Sequence, residues 1–475
     1  MTQHLNTPAM LQLGSAMRWL PGATLFGDAG TPVLRVHTDT RSVEPGDLFI
    51  ALAGEKFDAN RMLHEACAQG AAALLCHAGL PPHCYPAGIA RIEVADTRAA
   101  LTQLATGWRA QFSLPLIAVT GSNGKTTVTQ MLASILTAAA GAAALATRGK
   151  LNSDIGVRRS VLRLRAQHRI AVLELGMNHP GEIDALAAVA QPTVALVNNA
   201  QREHLEFMHT VQAVAQENGA VIGRLSVSGT AVFPADEDYT ALWTDLAGPR
   251  RVARFALAPT GQEQDLCCVS AQWVEGAWVV QAQGLGHGFS FKLHIAGRHN
   301  VKNALAAAVC ALVAGVPLTA VVQGLEAFVP VKGRSRAVAL ALPDRTRTLV
   351  DDTYNANPDS VRAAIAVLAE LPGPRLLVLG DMGEVGEQGA AFHTEAGAEA
   401  RAVGIEQLFA IGELARFAVA AFPGARHFDS IEALNAAVLQ HVSGCNSMLV
   451  KGSRFMRMER VVEAVCSATA SQATP

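Results

Sequence analysis

The stretch LIAVTGSNGKTT, residues 116–127, sets two glycines, a lysine and two threonines directly after an apolar run. Glycines let a backbone close around phosphate oxygens, and a helix starting at the lysine leaves its first N–H groups free to donate to them. In such a cradle Lys125 reaches the β- and γ-phosphates of a nucleotide, and the Thr126 hydroxyl stands where Mg²⁺ binds. The usual GxxxxGK[ST] spacing needs a glycine at position 119. Val119 stands there and the first glycine is Gly121, so the turn is shorter.

Mg²⁺ is a hard cation that takes oxygen ligands and keeps several waters. Glu174, in AVLELGMNHPGEI, closes the next apolar run. In a doubly wound sheet the C-terminal ends of the strands face one crevice, so Glu174 and Thr126 are expected to converge there. His204, in VNNAQREHLEFM, follows the run after that; a single histidine makes no case by itself.

These residues need elements to hold them. From Leu116 the text alternates LIAVTG, helix from about Lys125, IAVLELG, helix from about Gly181, and TVALVNN. That βαβ logic implies a mostly parallel sheet covered by helices. Before it, short apolar runs (DLFIAL, AAALLC, IARIEVA) mix with helical text (RMLHEACAQGA, TRAALTQLATGWRAQF), which predicts a small α/β domain ending near FSLP. Between about 227 and 296, TAVFPA, LCCVSAQWVEGAWVVQAQG and FSFKLHIAG alternate with period two and predict antiparallel β structure added to the central domain. A third α/β series follows AFVPVKGRSR: TLVDDTY, RLLVLGDM, QLFAIGE and SMLVKGS. The expected fold is therefore α/β in three domains, 1–112, 113–331 and 332–475, the last Rossmann-like. The length of 475 residues agrees, at roughly 100–200 residues per domain.

A formal net charge of −2 with no run of like charges gives no field for nucleic acid or an anionic membrane. No apolar stretch reaches the roughly 18 residues of a membrane span, and the N-terminus has no basic region before a long apolar core. A cytoplasmic protein, acting as a monomer on small soluble ligands, is expected. Eight scattered cysteines without CxxC pairs read as reduced thiols.

TGSNGKTT, LELGMNHPGEI, REHLEF, GRHNVKNALAA, PVKGRSR, DDTYNANPDS, LGDMGEVGE and MLVKGSRFMRME stand in the order found in the Mur ligase superfamily of ATP-dependent amide-bond-forming enzymes, which the chain resembles over most of its length. DDTYNANPDS, LNSDIG and MGEVGEQG resemble the branch that adds D-alanyl-D-alanine to UDP-N-acetylmuramoyl-tripeptide. The DNPR motif of the diaminopimelate-adding branch is absent, with Asn355-Ala356-Asn357-Pro358 in its place. The resemblance implies ATP and Mg²⁺ as cofactors, those two substrates as partners, and transfer of the ATP γ-phosphate to a carboxylate before an amine displaces it.

The resemblance also implies roles. Gly121, Ser122, Asn123, Gly124, Lys125, Thr126 and Thr127 would cradle phosphate, with Thr126, Glu174 and His204 at the metal. Asn300 and Asn303 would contact the nucleotide, and Arg334 and Asp352 would reach ATP from the C-terminal domain. Lys125, Glu174, His204 and Arg334 form the expected catalytic set. Tyr354, Asn355 and Asn357, with help from Lys451, Ser453 and Arg454, would line the dipeptide side. Thr40, Arg41 and Ser42 would bind the UDP-sugar, and Asn152 its peptide.

Two departures stand out. Many relatives carry a lysine that is carbamylated and helps hold a second Mg²⁺; VAQENGAVIG puts Asn218 there and Ala220 at the accompanying glutamate, leaving Glu217, water or another geometry for that metal. FDANRML replaces the relatives' DGH after the phenylalanine, which weakens a sugar-contacting role for Asp58. Folylpolyglutamate synthetase shares the loop, the glutamate and the histidine but begins close to the loop, whereas over 110 residues precede it here. A P-loop NTPase that ligates nothing would lack the C-terminal motifs.

Overall fold

The computed structural model describes residues 8–54, 57–147, 149, 151–342 and 346–472. Three sheets organise it besides a small two-stranded pair. The first takes strands from Thr24–Phe26 to Ala90–Val94, all parallel except for the antiparallel edge strand Thr24–Phe26. The third, from Arg336–Ala341 to Ser447–Lys451, likewise has one antiparallel edge, Arg336–Ala341 against Thr346–Asp352.

The central sheet has nine strands and positions the candidate site. Leu116–Thr120 lies inside it, flanked in parallel by Ile170–Glu174 on one side and Val194–Val197 on the other. All five of its residues are buried, as expected of a parallel strand covered on both faces. Leu116 and Ala118 pack into one apolar cluster and Ile117 and Val119 into the other. That alternation is the two-residue period of a strand acting on two cores.

One expectation needs correction. Thr230–Pro234 is no part of an antiparallel addition: it pairs in parallel with Val194–Val197, and Arg251–Ala256 and then Asp265–Val274 continue in parallel. The helix Val211–Gly223 supplies the crossover between Val194–Val197 and Thr230–Pro234, and a strand buried at every position shows no polar alternation to mark its direction. Only Asp265–Val274, Ala277–Gly284 and His287–Leu293 form an antiparallel meander.

The first domain is welded to the second. Trp108 and Leu164 share a core, with the indole N–H donating to the Leu164 carbonyl at 3.2 Å. Buried Arg109 donates to the carbonyls of Ala190 and Gln191 at 2.8 and 3.0 Å, closing the end of the helix Glu182–Ala190. Among the described residues no helix is long and apolar enough to cross a membrane, and all eight cysteines are free.

Candidate active site

The loop after Leu116–Thr120 turns on two left-handed glycines, Gly121 (φ +127°) and Gly124 (φ +80°), and the helix Lys125–Ala140 begins immediately after. Glycine is required at 124 for space as well as for φ: an added Cβ would lie 2.5 Å from Asn303 Oδ1 and 2.7 Å from Asn198 Nδ2. The loop rests on the residues that end the neighbouring strand. Ser122 N donates to the Asn199 carbonyl at 3.2 Å and Asn123 N to Asn199 Oδ1 at 2.8 Å. A line of side-chain amides continues beneath it. Asn198 Nδ2 donates to the Asn123 carbonyl and to Asn303 Oδ1 at 2.8 and 2.9 Å, and Asn303 Nδ2 to Asn300 Oδ1 at 2.9 Å. Asn300 in turn donates to the Ala296 carbonyl at 2.7 Å. Asn300 and Asn303 thus brace the loop from behind, and both also line the cleft above it.

On the cleft side, Lys125 Nζ donates to the Gly121 and Ser122 carbonyls and to both carboxylate oxygens of Glu203, at 3.0 and 3.3 Å. Thr126 Oγ1 donates to Glu174 Oε1 at 3.0 Å, and Asn152 Nδ2 donates to the same oxygen at 2.8 Å. Arg334 arrives from the start of the third domain and its Nη2 donates to Thr126 Oγ1 at 3.0 Å, while the guanidinium lies 3.8 Å above the Tyr354 ring. Lys125, Thr126, Glu174, Asn152 and Arg334, spread over more than 200 positions, therefore meet. They line a cleft of about 1380 Å³ that also takes in Ser122, Asn123, Thr127 and His204.

The third domain contributes further walls. Partly buried Asp352 accepts from Lys451 Nζ at 2.6 Å and from Ser335 N at 2.9 Å. Burial pushes its carboxyl up, but the Lys451 charge and these hydrogen bonds outweigh that and hold it below the usual range. Lys451 also donates to the Asn355 carbonyl at 2.9 Å, and Ser453 Oγ donates to the Ala356 carbonyl at 3.0 Å and accepts from Gly383 N at 2.7 Å. Asn357 caps the helix Pro358–Glu370 through Ser360 N and exchanges amide bonds with Asn123 of the loop, at 3.0 and 3.3 Å. This asparagine therefore stands on the loop side of the cleft, away from the expected dipeptide side.

His204 takes a left-handed conformation, φ +52°. Its Nδ1 pairs with Glu384 of the third domain and its Nε2 lies 3.5 Å from Glu203 Oε1. Burial would push the imidazole pKa down; the two carboxylates more than offset it and hold it at about 9. The ring is thus protonated at neutral pH and needs to lose that proton before it can ligate a metal. Among the described residues no three His, Cys, Asp or Glu side chains stand close enough to hold a metal ion. The Thr126 hydroxyl and the Glu174 carboxylate nonetheless suit Mg²⁺, which uses one or two carboxylates and fills its remaining positions with water and phosphate oxygens. Glu217 is committed elsewhere: its two oxygens accept from Gly181 N and Ile183 N, both at 2.8 Å, at the start of a helix. Asn218 lies behind the loop, where its Oδ1 accepts from Gly121 N at 2.8 Å.

Thr40, Arg41 and Ser42 are not among the residues lining the cleft. They form a 3-10 turn whose Asp39 cap accepts from Arg41 N and pairs with the Arg41 guanidinium, which holds that carboxyl down at about 2. Ser42 Oγ bonds His37 Nε2 at 2.8 Å, and His37 Nδ1 faces Arg159 of the central domain at 3.4 Å. Asp58 accepts from the backbone and side chain of Asn60 as a local cap.

Sequence reasoning passed over Asn198, Asn199, Gln201 and Glu203. The signal was present in the polar run NNAQRE directly after an apolar strand, next to the strand that carries the loop.

Three Mur ligase domain families match in register: the catalytic domain at residues 33–109, the middle domain at 119–311 and the glutamate ligase domain at 333–454. The UDP-N-acetylmuramoyl-tripeptide–D-alanyl-D-alanine ligase of Escherichia coli (strain K12) is 38% identical over 94% of this chain and 95% of its own. A crystal structure of MurF from Acinetobacter baumannii superposes with TM-score 0.85 at 33% identity, covering 97% of this chain and 99% of that one. MurF ligase from Thermotoga maritima, solved in complex with ADP, superposes with TM-score 0.81 at 25% identity over 92% and 98%. With near-complete coverage by sequence and by structure, the chain belongs to the Mur ligase family and groups within it with the MurF enzymes.

Proposed function

We propose that the protein is an ATP-dependent ligase that joins D-alanyl-D-alanine to UDP-N-acetylmuramoyl-tripeptide in the cytoplasm, in peptidoglycan precursor synthesis. A carboxylate is a poor electrophile, and transfer of a phosphoryl group turns one of its oxygens into a leaving group. The amine then attacks the carbonyl carbon and phosphate departs. The first step gathers several negative charges, which Lys125 and Arg334 are placed to neutralise beside the loop amides. Bound Mg²⁺ would sit at Thr126 and Glu174 and supply further charge neutralisation at the transferring phosphoryl group.

The single observation that carries this reading is the 3.0 Å bond from Arg334 to Thr126. It brings the third domain onto the phosphate loop, so that an amine held near Tyr354 and Asn355 faces whatever the loop activates, and holding the two reactants together supplies much of the amide-forming step. Thr40, Arg41 and Ser42, with Arg159 close by, would take the UDP end at a distance from that chemistry. The test supplies ATP, Mg²⁺, both substrates and purified protein, and follows ADP and the UDP-linked pentapeptide by mass spectrometry. ADP formation that requires both substrates and matches pentapeptide one for one is expected. ADP released regardless of either substrate would overturn the proposal. Running the diaminopimelate and lysine tripeptides side by side assigns the third residue.

A further inference from the structure

Glu203 is a buried carboxylate at the candidate site to which the ligation chemistry gives no task. Its oxygens lie 3.0 and 3.3 Å from Lys125 Nζ and 3.5 Å from His204 Nε2, and the Glu203 and His204 side chains are each only 11% exposed. An ammonium has three donors. Here they meet the Gly121 carbonyl, the Ser122 carbonyl and Glu203, so each has a protein acceptor. A nucleotide phosphate reaching Lys125 must take the place of one. The two carbonyls belong to the loop itself and carry no net charge; Glu203 is the partner that phosphate both replaces and repels. The backbone that carries Glu203 is held: its N–H donates to the Gln201 carbonyl at 2.8 Å, and the next residue lies in the left-handed region. The neighbouring Arg202 is clamped by Asp359 through its backbone N–H and guanidinium, at 2.8 and 2.7 Å.

We propose that Glu203 is a positioning residue that makes nucleotide binding conditional on a divalent cation. Without ligand it holds Lys125 in place of phosphate. With metal-free nucleotide it adds a negative charge beside the β- and γ-phosphates that the His204 imidazolium, shared with Glu384, offsets only in part. A divalent cation bound with the nucleotide would supply the positive charge that offsets this repulsion, leaving Lys125 to serve both anions. Free ATP and ADP are thereby disfavoured relative to their Mg²⁺ complexes by more than the loop alone would impose. The inference rests on reading the loop as a nucleotide-phosphate site.

The test is calorimetric titration of the full-length protein with ADP and ATP, once in excess Mg²⁺ and once in EDTA, for wild type, Glu203→Gln and Glu203→Asp. The glutamine variant keeps the shape and removes the charge. Its affinity for metal-free nucleotide is expected to rise about tenfold or more, the scale of one close charge–charge interaction at a partly buried site. The ratio of affinities with and without Mg²⁺ should shrink accordingly, while the aspartate variant, which keeps the charge, retains a ratio near that of wild type. A structural role alone would weaken both conditions together and leave the ratio unmoved, and an unchanged ratio in Glu203→Gln overturns the proposal. If Glu203→Gln does not fold, an aspartate variant whose ratio departs tenfold from wild type does so equally. Wild-type protein that binds neither nucleotide even with Mg²⁺ would overturn the reading of the loop, and the role of Glu203 with it.

Discussion

Gly124→Ala tests whether the loop works through its geometry. A left-handed φ of +80° costs a residue with a Cβ roughly 1–2 kcal/mol. The new methyl would also press on Asn303 Oδ1 at 2.5 Å and Asn198 Nδ2 at 2.7 Å. These two atoms are hydrogen-bonded to each other and buried, so neither can turn toward solvent. Parting them leaves a buried donor or acceptor unmet, at about 1–3 kcal/mol. Together the two effects reach about 2–5 kcal/mol; the free loop escapes them by relaxing and binding must restore its shape, so at 1.4 kcal/mol per factor of ten the affinity for Mg²⁺-nucleotide should fall by about thirtyfold or more. Calorimetric titration with ADP and Mg²⁺ measures it directly. Gly141→Ala, at the other end of the same helix, supplies the control: its φ is +54° but nothing lies within 4 Å of the added methyl. It should lower the melting temperature slightly and leave nucleotide affinity alone. Wild-type affinity in Gly124→Ala, in protein that is still folded, would show that nucleotide binding does not depend on the left-handed turn at Gly124.

Three further expectations follow from the same geometry. Lys125→Ala should abolish acyl phosphate formation, assayed by hydroxylamine trapping, while UDP-substrate affinity stays nearly unchanged; a parallel loss of that affinity would contradict the separation of the two sites. Asn218→Ala leaves the Gly121 N–H without its buried acceptor, which costs about 1–3 kcal/mol; where the loop relaxes to escape that cost, ADP binding should weaken about fivefold or more without altering UDP-substrate binding. Glu395 pairs with Arg202 across the domain boundary, and hydrogen bonds from Arg202 and then Arg362, against the opposing effect of burial, lower its pKa from 4.5 to about 2. Because the folded value is the depressed one, its contribution is complete above pH 4.5 and is lost as pH falls toward about 2. Small-angle scattering should therefore show compactness unchanged from pH 8 to 5 and declining only below that window, with Glu395→Gln less compact already at neutral pH.

What the sequence disclosed divides along local and non-local lines. The glycine loop is local: strand, glycines, lysine and helix follow one another within 25 residues. The alternation that marks Leu116–Thr120 and Ile170–Glu174 as parallel neighbours is local too. The parallel direction of Thr230–Pro234 is not legible, because a strand buried on both faces has no polar face to betray its direction and its partner Val194–Val197 lies across a helical crossover. Asn357 illustrates another mixture. Its place before Pro358, with Ser360 three residues on, carries the signature of a helix cap, yet its pairing with Asn123 joins residues 234 positions apart. Glu203 precedes His204 in the chain, but Glu384 meets that histidine only because the third domain closes on the second, and no spacing along the chain announces that. Arg334, Asn300 and Asn303 are legible only through resemblance; in the structure Arg334 bonds the loop threonine and the asparagines brace the loop from beneath.

The central claim is that the loop activates a carboxylate by phosphorylating it. Tripeptide substrate labelled with ¹⁸O in the carboxylate that becomes the amide tests it most directly, since attack by the amine must expel phosphate carrying one carboxylate oxygen. Mass spectrometry of the released phosphate should find one ¹⁸O for each pentapeptide formed. Phosphate without label, alongside normal pentapeptide formation, would contradict the account.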